Sequence, residues 1–407
     1  MLNVLKLHVF VLMLLIGAVA TADADDGAQG FAACLDELAA FARSQGIPGA
    51  LADEVLAELK FQPRVIELDR AQPEFQQTFA AYLRGRVSSA RIEQGRRLLA
   101  RHRELLDGLT REYGVPGHYL IALWGMESDF GGFTGRTPIL DSLATLACDA
   151  RRSAFFRDEL MTALRLVERE SLEPSDMLGS WAGAMGQTQF MPSAYYAHAV
   201  DGDGDGRIDL WGSPADALAS GANLLHSLGW NRGQRWGREV SLPAEFAFEK
   251  SGFEQPRALA EWAELGVRRA DGAALPIADL SARLLLPMGH AGPAFLVYDN
   301  FDVLLGWNRS SSFAIAVGHL ADRIAGAGAL HAELPERDVA MATAQMAGLQ
   351  QRLAELGYSP GEADGILGPA TRAALRQFQL DHGLVPDGYP DQRTRSALVG
   401  PGDGPAS

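Results

Sequence analysis

Glu127 is the residue that its neighbours best equip for acid–base chemistry. It lies in Ile121-Ala122-Leu123-Trp124-Gly125-Met126-Glu127-Ser128-Asp129-Phe130-Gly131-Gly132, an apolar run with one carboxylate near its end and glycines as a stop. Leu120, Leu123, Trp124 and Glu127 recur at i, i+3, i+4, i+7, the spacing of one helix face, and Pro116-Gly117 marks the start. A lone carboxylate on such a face is costly to bury ionised, so its pKa rises and it can hold a proton at neutral pH, as a general acid must. Taken alone, the segment suits a salt-bridged or rim glutamate better.

A second stretch tips that balance: Gly179-Ser180-Trp181-Ala182-Gly183-Ala184-Met185-Gly186-Gln187-Thr188-Gln189-Phe190-Met191-Pro192-Ser193-Ala194-Tyr195. Its glycines and alanines let backbone approach a ligand closely. Ser180, Gln187 and Gln189 supply neutral donors and acceptors, and Met185, Phe190 and Tyr195 supply flat or soft apolar surface. A sugar, with polar edges and an apolar ring face, matches that mixture; tight helix packing around small residues is the plainer alternative. Further on, Asp201-Gly202-Asp203-Gly204-Asp205-Gly206-Arg207-Ile208 has the alternating carboxylates, the sixth-position glycine and the eighth-position apolar residue of a calcium loop. Gly212 stands where such a loop carries its closing Glu, so an acidic turn without metal is the alternative. Cys34 and Cys148 are either one disulfide or two buried thiols.

Together the W-G-x-E-S-x-x-G run around Glu127 and the G-S-x-A-G-A-M-G-x-x-Q-F-M-P-S run resemble the lytic murein transglycosylases of the membrane-bound lytic transglycosylase B type, here as a soluble variant. The resemblance extends over nearly the whole mature chain. It implies cleavage of the bond between N-acetylmuramic acid and N-acetylglucosamine without water, closing a 1,6-anhydro ring. It implies that Glu127 is the single acid/base, that Ser180 and Gln189 touch the glycan and that Met185 packs on a sugar face. Tyr82 is the candidate for an aromatic residue lining the groove. Asn308, in Trp307-Asn308-Arg309-Ser310-Ser311-Ser312-Phe313-Ala314, is a candidate substrate contact between the walls Trp307 and Phe313. Some relatives carry Tyr at those two walls, so any hydroxyl role there is lost. A calcium-binding member suggests the ligand set Asp201, Asp203, Asp205, the Arg207 carbonyl and Asp216, with a structural role for the ion. No cofactor is needed for the chemistry.

The elements that must position these residues follow from the rest of the sequence. Residues 1–22 have the positive start, apolar core and small-residue exit of a signal peptide, with cleavage expected after Ala22 and no following cysteine for a lipid anchor. A periplasmic location follows. The remaining length exceeds one ordinary core. Expected are a catalytic domain over 23–327, a linker over 328–342, a small domain over 343–400 and a disordered tail over 401–407. Residues 28–115 should form several helices, including an Arg-rich one from Val87 to Tyr113. Arg84, Arg86, Arg91, Arg96, Arg97, Arg101 and Arg103 read first as a solvated helix face, the weaker alternative being that one or two meet glycan carboxylates or peptide stems. A small β-ribbon lobe is expected between Ser241 and Leu286. A net charge of −15, from 36 basic and 51 acidic residues, argues against nucleic acid and anionic membrane as partners.

Beyond the linker the chain carries two unequal half-repeats, in which Asp387-Gly388 and Thr394 echo Asp364-Gly365 and Thr371. Asp-Gly marks a turn and Thr a helix N-cap. This resembles the three-helix peptidoglycan-binding domain appended to many wall enzymes. The expected fold class is therefore mainly α: a lysozyme-like helical catalytic domain with a small β-containing lobe, plus that three-helix domain. Glycan strands are the expected partner. Asp129, two residues along the helix from Glu127, points elsewhere, and the sequence offers no second catalytic acid. The rival functions are a hydrolytic muramidase, a non-catalytic wall-binding protein and, on the Asp loop alone, a calcium-sensing protein.

Overall fold

The computed structural model describes residues 17–71, 77–335 and 340–399. The expected signal segment lies outside the described residues as far as residue 16, as do positions 336–339 of the expected linker and the whole expected tail 401–407. By internal contacts the described chain forms two units. The first takes the residues up to Ala71 with Thr134–Ala197 and Gly206–Trp211. The second takes the residues to Phe133, His198–Asp205 and everything from Gly212 on.

In the first unit the helices Gly17–Ser44, Gly49–Ala57 and Pro63–Ala71 accompany Ile139–Ala147, Ser153–Glu170 and Pro192–His198. Thr137–Pro138 pairs antiparallel with Leu178–Gly179. Cys34 and Cys148 form a disulfide, Cα to Cα 6.0 Å, across 114 residues of sequence. Buried Asp69 receives both Arg151, at 2.6 Å, and Arg152.

The second unit is built round the helix Gly117–Ser128, in which every residue from Tyr119 to Met126, and Ser128, is buried. This corrects the one-faced pattern expected above, because the helix is packed on all sides. Ser89–Arg101 and Ser311–Ile324 lie against it, and Gly95 makes room for Ile324, whose Cδ1 would meet a Cβ at 2.5 Å. The expected Val87–Tyr113 helix is broken. Phe79–Arg86, Ser89–Arg101 and Arg103–Tyr113 are separate. Ser88 Oγ caps the second by accepting from Arg91 N–H at 3.2 Å, and His102, at φ −98°, ends one helix and begins the next.

The lobe expected between Ser241 and Leu286 is wider, a five-stranded antiparallel sheet. Its order is Arg257–Ala258, Ser281–Leu285, Ala294–Val297, Gly237–Ser241, Arg268–Arg269. Alternate strand positions bury Val240, Leu284 and Leu296 with Trp262 and Phe246 in a core of their own. The helices Pro214–Ser227 and Asp299–Trp307 complete the main body. Thr343–Glu355, Pro369–Asp381 and Gln392–Val399 form the three-helix C-terminal module around Leu353, Leu375 and Phe378.

Candidate active site

Glu127 occupies the last turn of the buried helix, and the helix does not stop at the glycines. It stops at Asp129 and Phe130, both left-handed at φ 52° and 60°. Non-glycine residues adopt that conformation only where the surroundings hold them there. Arg91 Nη2 grips Asp129 at 3.1 Å, Phe130 N–H donates to the Trp124 carbonyl at 3.1 Å, and Gly131 N–H donates to Ser128 Oγ at 3.0 Å. Phe130 folds its ring back over the helix, 5.9 Å from Trp124 in edge-to-face contact. Only a glycine at 125 permits this, since a Cβ would lie 2.7 Å from the Phe130 ring. The acid thus stands directly before a strained, doubly anchored turn.

Glu127 as a residue is half-buried. Burial pushes its carboxyl up to about 7, against the opposing pull of the Trp307 N–H and the Arg86 cation. Trp307 Nε1 donates to Glu127 Oε1 at 2.7 Å. Arg86 lies 5.5 Å over the Tyr82 ring. The Tyr82 hydroxyl titrates above its usual range, chiefly through burial, with Arg86 pulling the other way and the Glu127 charge adding to the rise. Tyr82, Arg86, Glu127 and Trp307 therefore form one electrostatic group inside the second unit. From sequence alone Arg86 reads as a solvated cation and Trp307 as a wall. The signal available for Trp307 was its indole N–H, a donor that seeks an acceptor when enclosed.

The acids nearest to Glu127 in sequence are occupied. Asp129 is exposed and paired with Arg91, as given above. Asp141 accepts from the Lys60 N–H at 3.0 Å and from Gln62 Nε2 at 2.9 Å, holding the loop before Pro63 in the first unit. Asn308 is exposed and ends the Asp299–Trp307 helix, its Oδ1 accepting from Ser310 N–H at 3.0 Å. Phe313 is buried.

Ser180, Met185 and Gln189 belong to the first unit. Ser180 Oγ accepts from the Ala184 N–H at 3.0 Å, closing a tight loop. Gln189, at φ 50°, donates through Nε2 to the carbonyls of Thr134 and Gly186 at 3.0 and 2.9 Å. Gly186, at φ 63°, tolerates no Cβ, which would lie 2.6 Å from the Leu210 carbonyl. Met185 is the correction here. It is 0% exposed and bridged on both sides, to Gly179 and Phe190, so it has no surface for a sugar; its thioether fills the core instead.

Asp201, Asp203 and Asp205 bring carboxylate oxygens within 4.8 Å of one another. Two oxygens bound to one calcium at about 2.4 Å each lie no further apart than about 4.8 Å, so the cluster fits that ion. Asp216 is not in the cluster. It is buried in the first turn of the Pro214–Ser227 helix, where Oδ1 accepts from the Gly202 N–H at 2.8 Å, and its part is to hold the loop backbone. Arg207 is exposed and falls in the first unit.

Comparison with known proteins places this geometry among wall enzymes. Residues 30–322 match the transglycosylase SLT domain family, and residues 343–398 match the putative peptidoglycan binding domain. Membrane-bound lytic murein transglycosylase B of Escherichia coli (strain K12) is 32% identical over 256 residues, 60% of this chain and 68% of that protein. Among solved structures, SltB3 from Pseudomonas aeruginosa in complex with NAG-anhNAM-pentapeptide superposes with a TM-score of 0.85 at 42% identity, covering 90% of this chain and 99% of that one. The Escherichia coli transglycosylase Slt35 in complex with calcium superposes with a TM-score of 0.62 at 29% identity, over 73% and 92% of the two chains.

Proposed function

The chain belongs to the transglycosylase SLT domain family and is a lytic transglycosylase of peptidoglycan, and we propose that Glu127 alone serves as its general acid and base. One observation carries this: a carboxyl pushed up to about 7 by burial, with one oxygen held by the Trp307 N–H. Such a group is protonated in a large share of molecules near neutral pH and is only modestly costly to ionise. It first donates its proton to the glycosidic oxygen between N-acetylmuramic acid and N-acetylglucosamine. The Trp307 N–H and the Arg86 cation then stabilise the carboxylate that results. As base, that carboxylate takes the proton of the muramoyl 6-hydroxyl while this oxygen attacks C1. The ring closes as a 1,6-anhydro product, and Glu127 is returned protonated.

Hydrolysis by the two-carboxylate route needs a second acid at a set separation across the bond. Asp129 and Asp141 are each committed to other partners, which supports the single-residue route. Tyr82 and Asn308 in the second unit, and Ser180 and Gln189 in the first, are our proposed glycan contacts. Asp201, Asp203 and Asp205 would hold a structural calcium ion, supplying charge neutralisation to the turn and no part of the chemistry. The action of the family on the wall, together with residues 1–22 read as an export signal, supports a periplasmic location. Among the described residues no helix is long and apolar enough to cross a membrane.

The test is mass spectrometry of soluble products from sacculi digested by the protein and by Glu127→Gln. Products lighter by one water than hydrolysis products, absent with the variant, are expected. Reducing-end products would replace this reading with a muramidase.

A further inference from the structure

The C-terminal module contains the same polar cassette twice. In the first copy Gln350 Nε2 donates to Asp364 Oδ1 and to Thr371 Oγ1, both at 3.0 Å, while Gln350 Oε1 accepts from the Gly365 N–H at 2.8 Å. In the second, Gln379 Nε2 donates to Asp387 Oδ1 and to Thr394 Oγ1, both at 3.1 Å, and Gln379 Oε1 accepts from the Gly388 N–H at 2.8 Å. Each Asp Oδ1 also accepts from the N–H two residues on, Ile366 at 2.9 Å and Tyr389 at 2.8 Å. Down to single atoms, the copies match.

They differ in the other carboxylate oxygen. Asp387 Oδ2 is occupied by a turn of the sheet lobe, accepting from the main-chain N–H of His290 at 2.9 Å and from its ring Nδ1 at 2.6 Å. Asp387 is buried as a result. Asp364 is exposed, and its Oδ2 has no partner among the described residues. The second cassette thus shows what the first is shaped to accept: a main-chain N–H and a side-chain nitrogen of one residue, converging on one oxygen.

We propose that the Asp364–Gly365 turn is a binding site for the peptide stem of peptidoglycan, with Asp364 Oδ2 accepting from the amide N–H and the free amino group of the stem's diamino acid. This rests on the C-terminal module being wall-binding, as its family match supports. A glycan offers hydroxyls and acetamido groups; only the peptide offers an amide N–H beside a cation. The second cassette, filled by His290, anchors the module to the lobe, and the first is left to face the wall.

The experiment uses the whole protein carrying E127Q, so that glycan is not consumed, and titrates it calorimetrically with a glycan-free stem tetrapeptide. Asp364→Asn is the variant of choice, since it keeps Oδ1 as an acceptor for Gln350 and Ile366 and puts an N–H donor where the ligand's donors must sit. It should bind about tenfold more weakly, the size expected for a hydrogen bond to a charged group. Acetylating the peptide's amino group should cost the parent a similar factor and cost D364N nothing more. Equal affinities of parent and variant would overturn the site. In the parent, peptide should also shift the amide resonances of Gly365 and Ile366, a readout that needs no substitution at 364; unshifted resonances would overturn it too. No tetrapeptide binding by a parent that still pellets with sacculi would sink this site and leave wall binding standing. Failure to pellet would sink wall binding itself. Binding of a capped Gly-His dipeptide in place of the stem would make the turn a protein-docking site, which overturns the proposal.

Discussion

Trp307 Nε1 holds Glu127 Oε1 at 2.7 Å across 180 residues of sequence. The bond favours the carboxylate over the acid, so it works against the burial that raises the pKa. Removing it in Trp307→Phe should therefore raise the Glu127 pKa further, by about one unit for a charge-assisted bond of about 1.5 kcal/mol. Since the acid form starts the reaction, the rate falls as pH rises through the pKa. The alkaline limb of the parent should lie near 7, and that of W307F about one unit higher, with a lower maximal rate. Coincident limbs in the two pH–rate profiles would rule this out.

Stability should carry the same signature. The folded pKa of Glu127 is raised from 4.5 to about 7, so the folded state binds this proton more tightly than the unfolded chain. The stability linked to that proton is fully present below pH 4.5 and is lost as pH climbs through 7. Glu127→Gln removes the ionisation. Chemical denaturation should find E127Q matching the parent near pH 4.5 and exceeding it at pH 8 by up to roughly 3 kcal/mol. A constant difference between the two proteins across that range would contradict the assignment.

Gly125→Ala tests the strained turn. The new methyl would stand 2.7 Å from the Phe130 ring and drive it off the helix, a destabilisation of about 1–3 kcal/mol typical of overpacking. Because Glu127 lies two residues away, kcat should drop more than stability alone explains, measured below the unfolding midpoint. Unchanged kcat would mean that the turn does not position the acid.

The Asp201–Asp205 cluster predicts a metal response. Calcium at 100 times its Kd should raise stability by about 2.7 kcal/mol, and chelation should reverse the gain. A variant with Asn at 201, 203 and 205 should ignore calcium and be more stable than the parent in chelator, because mutual repulsion is gone. If both proteins melt identically with and without calcium, the loop is an acidic turn only.

The sequence carried the Glu127 helix and the C-terminal repeats because both are local. An apolar run with one carboxylate, and a repeated Asp-Gly turn before a helix, announce themselves within a dozen residues. The expected Thr N-caps are corrected: Gly368 caps the first helix, Asp391 accepts from the Thr394 N–H at the start of the second, and both Thr hydroxyls accept from a glutamine instead. Long-range and conformational features were not legible in that way. Nothing near Glu127 says that an indole 180 residues on will bond to it. The Arg-rich stretch after Val87 read as one solvated helix because helical periodicity runs through it. The Ser88 cap divides it, and Arg86, on the near side of the break, turns towards Tyr82 and Glu127. Asp129 and Phe130 adopt a conformation that their residue types disfavour, so the helix end was assigned to the glycines beyond them. Met185 looked like sugar-facing surface because a soft apolar side chain in a glycine-rich segment serves a core and a groove equally well; only its burial separates the two.

The disulfide between Cys34 and Cys148 has a bearing on how the molecule ages outside a protected compartment. The chain it closes leaves the first unit, builds the helix of Glu127 and returns. A protease that nicks any loop along that excursion cannot release a fragment; both pieces stay tethered through sulfur. A single cut within this stretch is therefore silent on an unreduced gel and visible only after a thiol is added, and a cut enzyme keeps its acid attached to the rest of itself.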